Sequence, residues 1–369
     1  MPSTELPMTG LLQEANRLMT VCNACRYCEG FCAVFPAMER RRVFSEGDLN
    51  YLANLCHGCQ GCYYVCQYAP PHEFDVNVPK TFAGLRTETY ARYAWPGFLS
   101  SAFQRNGLVV SLAIALGLAL MIGLTFGMQN PEVIFGAHSG EGSFYRVVPY
   151  AAMVWPFGLV FLFSIAAMII GGARFWKATA GKAGAKLSSA AVLGGVWDTL
   201  TLRNLGGGGG GCTYPEEKFS YARRIYHHFT FYGFMLCFAA TSVATIYDHV
   251  FGWIAPYGFL SLPVVFGTLG GIGLFIGPAG LLWLKTKADP APRVRDLVGM
   301  DVALLMLLFL ISATGLALLV LRETGAMGTL LAIHLGFVLA LFFVLPYSKM
   351  VHGIYRLLAL IQDAAERRS

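Results

Sequence analysis

Eight cysteines near the start of the chain form two copies of one pattern. Each copy has the spacing C-x2-C-x2-C-x3-C, and the second begins 34 residues after the first. Three cysteines two residues apart reach three corners of a [4Fe–4S] cubane from one loop, and in two-cluster ferredoxins the fourth cysteine binds the other cluster. The pattern therefore predicts two clusters, the first bound by Cys22, Cys25, Cys28 and Cys66 and the second by Cys56, Cys59, Cys62 and Cys32.

Zinc sites and disulfides are the alternatives for these cysteines. Zinc is usually held by two cysteine pairs at each site, whereas this chain offers a triple plus one. The eight cysteines lie within 45 residues, and no apolar signal segment precedes Cys22, so we expect no cleaved signal peptide and no disulfides. The spacing favours iron–sulfur clusters over both alternatives.

Five histidines mark a second candidate site at long apolar stretches, namely His227, His228, His249, His334 and His352. Ionisable side chains in membrane segments are costly and indicate function. In a continuous helix, His334 and His352 lie five whole turns apart on one face, and His227 and His249 share a face of another helix.

Two antiparallel helices would then bring His227 or His228 to His352, and His249 to His334. Such pairs are typical of bis-histidine b-type haems, so the sequence predicts one or two haems b. The alternative is that these histidines lie at helix ends, where a polar side chain costs little.

The composition is that of a membrane protein. The chain has 369 residues, of which 56% are hydrophobic and only 13% are charged, whereas soluble proteins carry about 25% charged residues. Six apolar stretches approach or exceed the roughly 20 residues that cross a bilayer; they are 108–128, 148–172, 228–251, 257–284, 300–321 and 328–347. We therefore predict an all-α fold in which a polytopic bundle of six transmembrane helices carries a ferredoxin-like helical head.

The predicted domains are a two-cluster head over residues 1–106 and a cytochrome b-like membrane domain over 107–369, with a Gly-rich loop at 173–226. If the head is cytoplasmic, 25 of the 27 Lys and Arg residues lie on that side. This bias follows the positive-inside rule and predicts a multi-pass protein of the bacterial inner membrane with both termini in the cytoplasm. The net charge of +6 is then a topology signal and gives no reason to expect nucleic-acid binding.

Local patterns refine the head. Apolar spacing predicts helices over 11–21 and 49–55, and Ser45 with Asp48 resembles a capping box. The basic run 40–42 is interpreted as a solvated loop, or as a docking patch for an acidic partner. His57 and His72 are expected at the surface or beside the clusters.

Two features of the membrane domain leave alternatives open. The glycines 206–211 are either a flexible linker or a backbone that closely approaches a cofactor or partner. Asp301 and Asp248 are candidates for proton transfer near a quinone, although helix capping explains Asp301 equally well.

Three segments resemble a known family when read together with the cysteine motifs. They are NLGGGGGGCTYPEE, RRIYHHFTFYGF and HLGFVLALFFVLPYSKMVHGIYR. In this order they resemble the tricarballylate (citrate) utilisation protein B family over nearly the whole chain. The resemblance implies a membrane partner of a soluble FAD-dependent flavoprotein, tricarballylate dehydrogenase, whose electrons pass through the clusters and b haem to membrane quinone.

Other functions remain as alternatives. The chain could be the membrane subunit of another organic-acid dehydrogenase or reductase, or a membrane redox sensor whose clusters signal. A sensor should carry an output domain, and none is visible in the sequence. A transporter should show paired repeats in its spans, and we find none.

Overall fold

The structure is a computed structural model that describes residues 10–180 and 187–368. Helices dominate these ranges, which confirms the predicted all-α class. Five α-helices, numbered like the others in chain order, form the head: α1 (Gly10–Cys25), α2 (Val34–Glu39), α3 (Glu46–Leu55), α4 (Gly61–Tyr64) and α5 (Val78–Tyr93). One small antiparallel pair departs from the prediction, β1 (Cys212–Thr213) with β2 (Phe219–Ser220).

Six helices of the described ranges are long and apolar enough to cross a bilayer, as predicted. They are α6 (Asn106–Met128), α9 (Tyr150–Thr179), α11 (Ala222–Phe251), α12 (Leu262–Lys287), α13 (Val298–Leu321) and α14 (Met327–Val344). Shorter helices complete the chain: α7 (Pro131–Ile134), α8 (Ser143–Val147), α10 (Ser189–Leu200) and α15 (His352–Glu366). The fourth span begins at Leu262, later than predicted, because Pro263 suits the first turn of a helix and Pro256 lies in the preceding loop.

The sixth span, α14, lies at the centre of the bundle, where α6, α9 and α13 pack against it. In the most apolar 18-residue stretch of α14, 61% of the residues are buried in the protein, whereas the corresponding share for α6 is 17%. Glycines allow the close approach: a Cβ at Gly117 of α6 would lie 2.4 Å from the Gly336 carbonyl oxygen of α14. Small residues at helix contacts are characteristic of membrane bundles, in which lipid supplies no hydrophobic drive between helices.

The head has its own core, built from α1, α3 and α5. Leu18, Leu52 and Phe82 are fully buried in it. Both helices predicted before the cysteine runs are present, and the capping box is confirmed. The Ser45 hydroxyl accepts from the Asp48 amide at 3.3 Å, and the Asp48 carboxylate accepts from the Ser45 amide at 3.0 Å.

Two of the three arginines in the basic run 40–42 form ion pairs within the chain. Arg40 binds Asp363 with a nitrogen–oxygen distance of 2.5 Å, and Arg41 binds Glu366 at 2.6 Å. Both carboxylates are buried, and they belong to α15. The sequence could not show these ion pairs, because the acidic partners lie more than 300 residues away in the same chain. Arg42 stays exposed.

Candidate functional site

The first candidate cluster site combines cysteines of both repeats. A cavity of about 230 Å³ in the head is lined by Cys22, Cys25, Cys28 and Cys66, and also by Cys62. Burial, followed by the nearby Cys28, Cys66 and Cys25 thiols, raises the pKa of Cys22 to about 12. The structure thus brings Cys66 to the three cysteines of the first repeat. Their ligation of a cluster stays a prediction.

The remaining four cysteines form a second set beside the first. Burial raises the pKa of the Cys32 thiol well above its usual range, and the nearby Cys59 and Cys56 thiols add to the effect. Burial likewise raises the pKa of Cys62, with contributions from Cys59, Cys56 and Cys32. Cys32 therefore lies among the cysteines of the second repeat. This is the crossed pattern predicted from the sequence, in which the fourth cysteine of each repeat joins the other repeat's set.

A cluster and a single metal ion make different demands on these two sets of cysteines. Within the described ranges, no group of three or more His, Cys, Asp or Glu side chains is placed to hold one metal ion. A cubane makes a different demand, because each of its four thiolates binds a different iron atom. The Gly58 amide donates to the Cys56 sulfur at 3.4 Å, and hydrogen bonds of this kind tune cluster potentials.

The glycine segment 206–211 packs on the first cysteine loop, and the strand that follows it reaches the second. A Cβ at Gly208 would lie 3.0 Å from the Gly30 carbonyl oxygen of the first loop, and the backbone φ of Gly208 is +76°. Just beyond the segment, the Thr213 hydroxyl donates to the Cys59 carbonyl oxygen at 3.3 Å in the second loop. Of the two interpretations left open by the sequence, the structure favours the closely approaching backbone over a flexible linker.

Three arginines from separate elements converge on the second cysteine loop. Arg86 of α5 donates to the Cys56 carbonyl oxygen at 3.2 Å, and Arg356 of α15 donates to the same oxygen at 2.7 Å. Arg223 of α11 donates to the carbonyl oxygens of His57 and Gly58. Sequence reasoning missed these residues; the signal available was that Arg223 and Arg356 each lie four residues from a candidate haem histidine.

His227 and His352 face each other next to this loop. Their ring centroids are 6.1 Å apart, and the ring planes are inclined by 82°. Two imidazoles that bind one iron from opposite sides hold their centroids about 6 Å apart, because each metal–nitrogen bond is about 2 Å long and each nitrogen lies roughly 1 Å from its ring centre. The separation of this pair agrees with that spacing, and haem binding by it stays a prediction.

The nitrogen atoms of this pair are also suitable. The Nδ1 atom of His352 lies 2.5 Å from the Lys349 carbonyl oxygen, an arrangement that leaves Nε2 for a metal. The Nδ1 atom of His227 is buried and has no hydrogen-bond partner among the described residues. Burial, with the positive Arg356 nearby, lowers the pKa of His352 well below its usual range, so its imidazole is neutral, as a ligand must be.

One step of the haem prediction was wrong. His334 and His352 do not share a continuous helix, because α14 ends at Val344 and α15 begins at His352. Pro346 and the extended Ser348, with φ −121° and ψ −179°, break the helix between them. The five-turn argument therefore does not apply, although His352 still reaches the predicted partner.

The structure does not bring the other predicted pair together. His249 binds the Tyr150 hydroxyl through Nε2 at 3.1 Å, and its side chain is 53% exposed. His334 is held between spans by the Thr314 hydroxyl, 3.1 Å from its Nδ1 atom. The helices explain the separation: α11 packs mainly on α12, whereas α14 packs on α6 and α13. His228 lies beside the Tyr232 ring instead of facing His352.

The structure narrows the expectations for two further polar residues. His57 is buried on the second cysteine loop, which is the second of its two expected positions, and its Nδ1 atom lies 2.8 Å from the Leu55 carbonyl oxygen. Asp301 caps no helix; its carboxylate binds the ammonium groups of Lys285 and Lys349. His72 is half-buried against Tyr68.

Comparison with known proteins agrees with this architecture. The family model described as "Citrate utilization protein B" matches residues 101–369, and the model "Citrate utilization protein B Fer4-like domain" matches residues 15–92. A curated relative from Escherichia coli, "Citrate utilization protein B", is 48% identical over 358 residues, which cover 96% of this chain and 92% of the relative. No solved structure matches the chain. The chain therefore belongs to the citrate utilization protein B family, with a Fer4-like head and, among the described residues, six helices long and apolar enough to cross a membrane.

Proposed function

We propose that this protein transfers electrons from the reduced flavin of a soluble dehydrogenase to the membrane quinone pool, using two [4Fe–4S] clusters and haem b. The donor is proposed to be a tricarballylate dehydrogenase-like FAD enzyme. When bound, the clusters and the haem supply one-electron redox chemistry that no protein side chain provides as readily. The residues of the chain hold these groups in place and set their surroundings.

The observation that carries the proposal is the order of the candidate sites in space. The first cysteine set lines a cavity on the head, next to Tyr27, whose side chain is 70% exposed. The second set lies behind it, where Arg223 and Arg356 bind its loop. Those two arginines belong to the same helices as His227 and His352. The three sites thus form a series from the head surface to the ends of the spans.

The charges in this series favour electron acceptance. Arg86, Arg223 and Arg356 direct three guanidinium groups toward the loop of Cys56. Positive charge near a cluster stabilises its reduced, more negative state and raises its reduction potential. Such a gradient supports inward electron flow, from the exposed first site to the second.

The membrane setting completes the proposal. The head-side ends of the spans, meaning the ends next to the head, carry Lys285, Lys349 and the arginines described above. This distribution supports a cytoplasmic head and cytoplasmic termini in the bacterial inner membrane. A soluble flavoprotein would then meet the exposed first site, and quinone would meet the membrane domain.

The proposal predicts acceptor-dependent oxidation of the donor. We expect the purified protein in vesicles to reoxidise a reduced tricarballylate dehydrogenase-type flavoprotein only when quinone or an artificial acceptor is present. The reason is that the clusters and haem together hold only a few electrons, so without an acceptor the reaction stops once these groups are reduced. Anaerobic flavin absorbance measures this directly.

Vesicles without the protein serve as the control for direct transfer from flavin to quinone. A flavin that reoxidises equally fast in those vesicles would contradict the proposal. So would a protein whose clusters respond to the donor but pass no electrons to any acceptor, which is the behaviour of a redox sensor.

A further inference from the structure

The short helix α10 presents an exposed apolar face. This face is formed by Leu193, Trp197 and Leu200, whose spacing of four and three residues places them on one side of the helix. Leu193 is 69% exposed, and Trp197 is 65% exposed. A stripe of large apolar side chains at the surface marks a place where the protein meets an apolar partner.

The opposite side of α10 packs on α15. Ala191, Gly195 and Asp198 are buried on that side. A Cβ at Gly195 would lie 2.6 Å from the Ile361 backbone nitrogen, so the two helices are in close contact. Asp198 is the one charged residue of α10, and it binds Arg367 at the end of α15 at 3.0 Å. The exposed face of α10 therefore carries no charged side chain with which a partner could form an ion pair.

The end of α10 is fixed against the head-side part of the third span, α11. The Tyr232 hydroxyl donates to the Leu200 carbonyl oxygen at 2.8 Å. Tyr232 lies about 15 Å along α11 from its first residue, so α10 reaches the level of the span. Tyr232 also shares an exposed stripe of α11 with Ile225 and Phe229. On a membrane span such a stripe faces lipid, and the apolar face of α10 adjoins it.

The length and composition of α10 indicate how it would meet a bilayer. Its 12 residues are too few to cross about 30 Å of hydrocarbon, so the helix can only lie along the surface. Helices that lie in this boundary region bury one apolar side among the lipid chains. Tryptophan is enriched at the same boundary, which suits Trp197 at the middle of the apolar face.

We propose that α10 is an interfacial helix whose apolar face is inserted into the head-side leaflet of the bilayer. Its partner is the layer of phospholipid just below the headgroups. The absence of charge on the exposed face and its continuity with the lipid-facing stripe of α11 favour lipid over a soluble protein. This inference goes beyond the proposed function and does not depend on electron transfer.

The arrangement has a consequence for α15, the helix that begins at His352. On one side α15 packs on α10, and on the other its carboxylates Asp363 and Glu366 bind Arg40 and Arg41 of the head. With α10 in the leaflet, α15 is held between the bilayer surface and the head. Lipid contact at α10 thus helps to fix the helix that carries a candidate haem ligand.

Photocrosslinking in lipid tests the proposal. The photoreactive amino acid p-benzoyl-phenylalanine is introduced singly at Leu193 or at Trp197 of the full-length protein. Each variant is reconstituted in vesicles of phosphatidylethanolamine and phosphatidylglycerol that contain an alkyne-tagged acyl chain. Two further positions are matched controls: Leu162, 65% exposed on the second span, and Tyr27, 70% exposed on the head. After irradiation, mass spectrometry measures the tagged lipid attached to each variant.

We expect Leu193 and Trp197 to form lipid adducts at a yield close to that of Leu162, and Tyr27 to form almost none. Adding Trp197→Asp to the Leu193 probe variant should remove most of its adduct, because a carboxylate is costly in hydrocarbon. Circular dichroism verifies that each variant is folded.

Adduct yields at Leu193 and Trp197 no higher than at Tyr27 would overturn the proposal. Crosslinks to a second copy of the chain would do the same, and so would crosslinks to a purified flavoprotein added outside the vesicles, if either replaced the lipid adduct. These yields are measured without any electron donor or acceptor, so their failure is distinct from failure of the proposed function.

Discussion

Cys56→Ser is expected to remove close to four of about eight cluster irons from anaerobically purified protein, and Cys22→Ser the other four. A cubane that loses one of its four thiolates loses much of its binding free energy. The crossed arrangement sharpens the expectation. Cys66→Ser should resemble Cys22→Ser, and Cys32→Ser should resemble Cys56→Ser, although each pair spans both repeats. Iron analysis with electron paramagnetic resonance of the two cluster signals measures the outcome.

Cys212→Ser is the matched control for these variants. Cys212 is a fully buried thiol close to Cys59, and its sulfur lies 3.1 Å from the Leu205 carbonyl oxygen. Its replacement should leave the iron content unchanged. Zinc in place of iron, or equal loss of both clusters in every single variant with the helical circular dichroism intact, would contradict the assignment.

His352→Ala and His227→Ala are each expected to eliminate a b-type haem. Either truncation would leave only one imidazole of this pair to hold the haem. The reduced-minus-oxidised absorbance spectrum should lose its haem bands, while the cluster signals persist because the cysteines are untouched.

His249→Ala is the control for this pair. His249 lies at the far end of the same helix as His227, half-exposed and bound to Tyr150, so its loss should leave haem content unchanged. Haem that survives in His227→Ala and His352→Ala but disappears in His249→Ala would show that the wrong histidines were assigned.

Much of the architecture was predictable because it depends on local patterns. The six spans follow from runs of apolar residues, and the head helices follow from apolar spacing before each cysteine run. The capping box at Ser45 needs only two residues three positions apart. The crossed grouping of Cys66 with the first repeat also follows from spacing, since three close cysteines on one loop leave the fourth ligand to another.

The remainder depends on contacts between residues that are distant in sequence. Nothing local shows that Arg40 binds Asp363, or that Arg86 and Arg356 meet at one carbonyl oxygen. The histidine pairing was half predictable. The sequence brings His227 and His352 to the same end of the bundle, but the packing of α11 on α12 separates His249 from His334. The break at Pro346 ends the continuous helix that was expected to carry both His334 and His352.

The most direct test of the central claim is the order in which the redox groups are reduced. Reduced flavoprotein mixed with the oxidised protein in a stopped-flow spectrometer should bleach the clusters before the haem bands appear. The Cys22→Ser, Cys56→Ser double variant, which retains His227 and His352, should keep its haem but fail to reduce it with the flavoprotein, although dithionite still does so. Haem reduction at the wild-type rate in that double variant would show that the cysteine sites are not on the electron path.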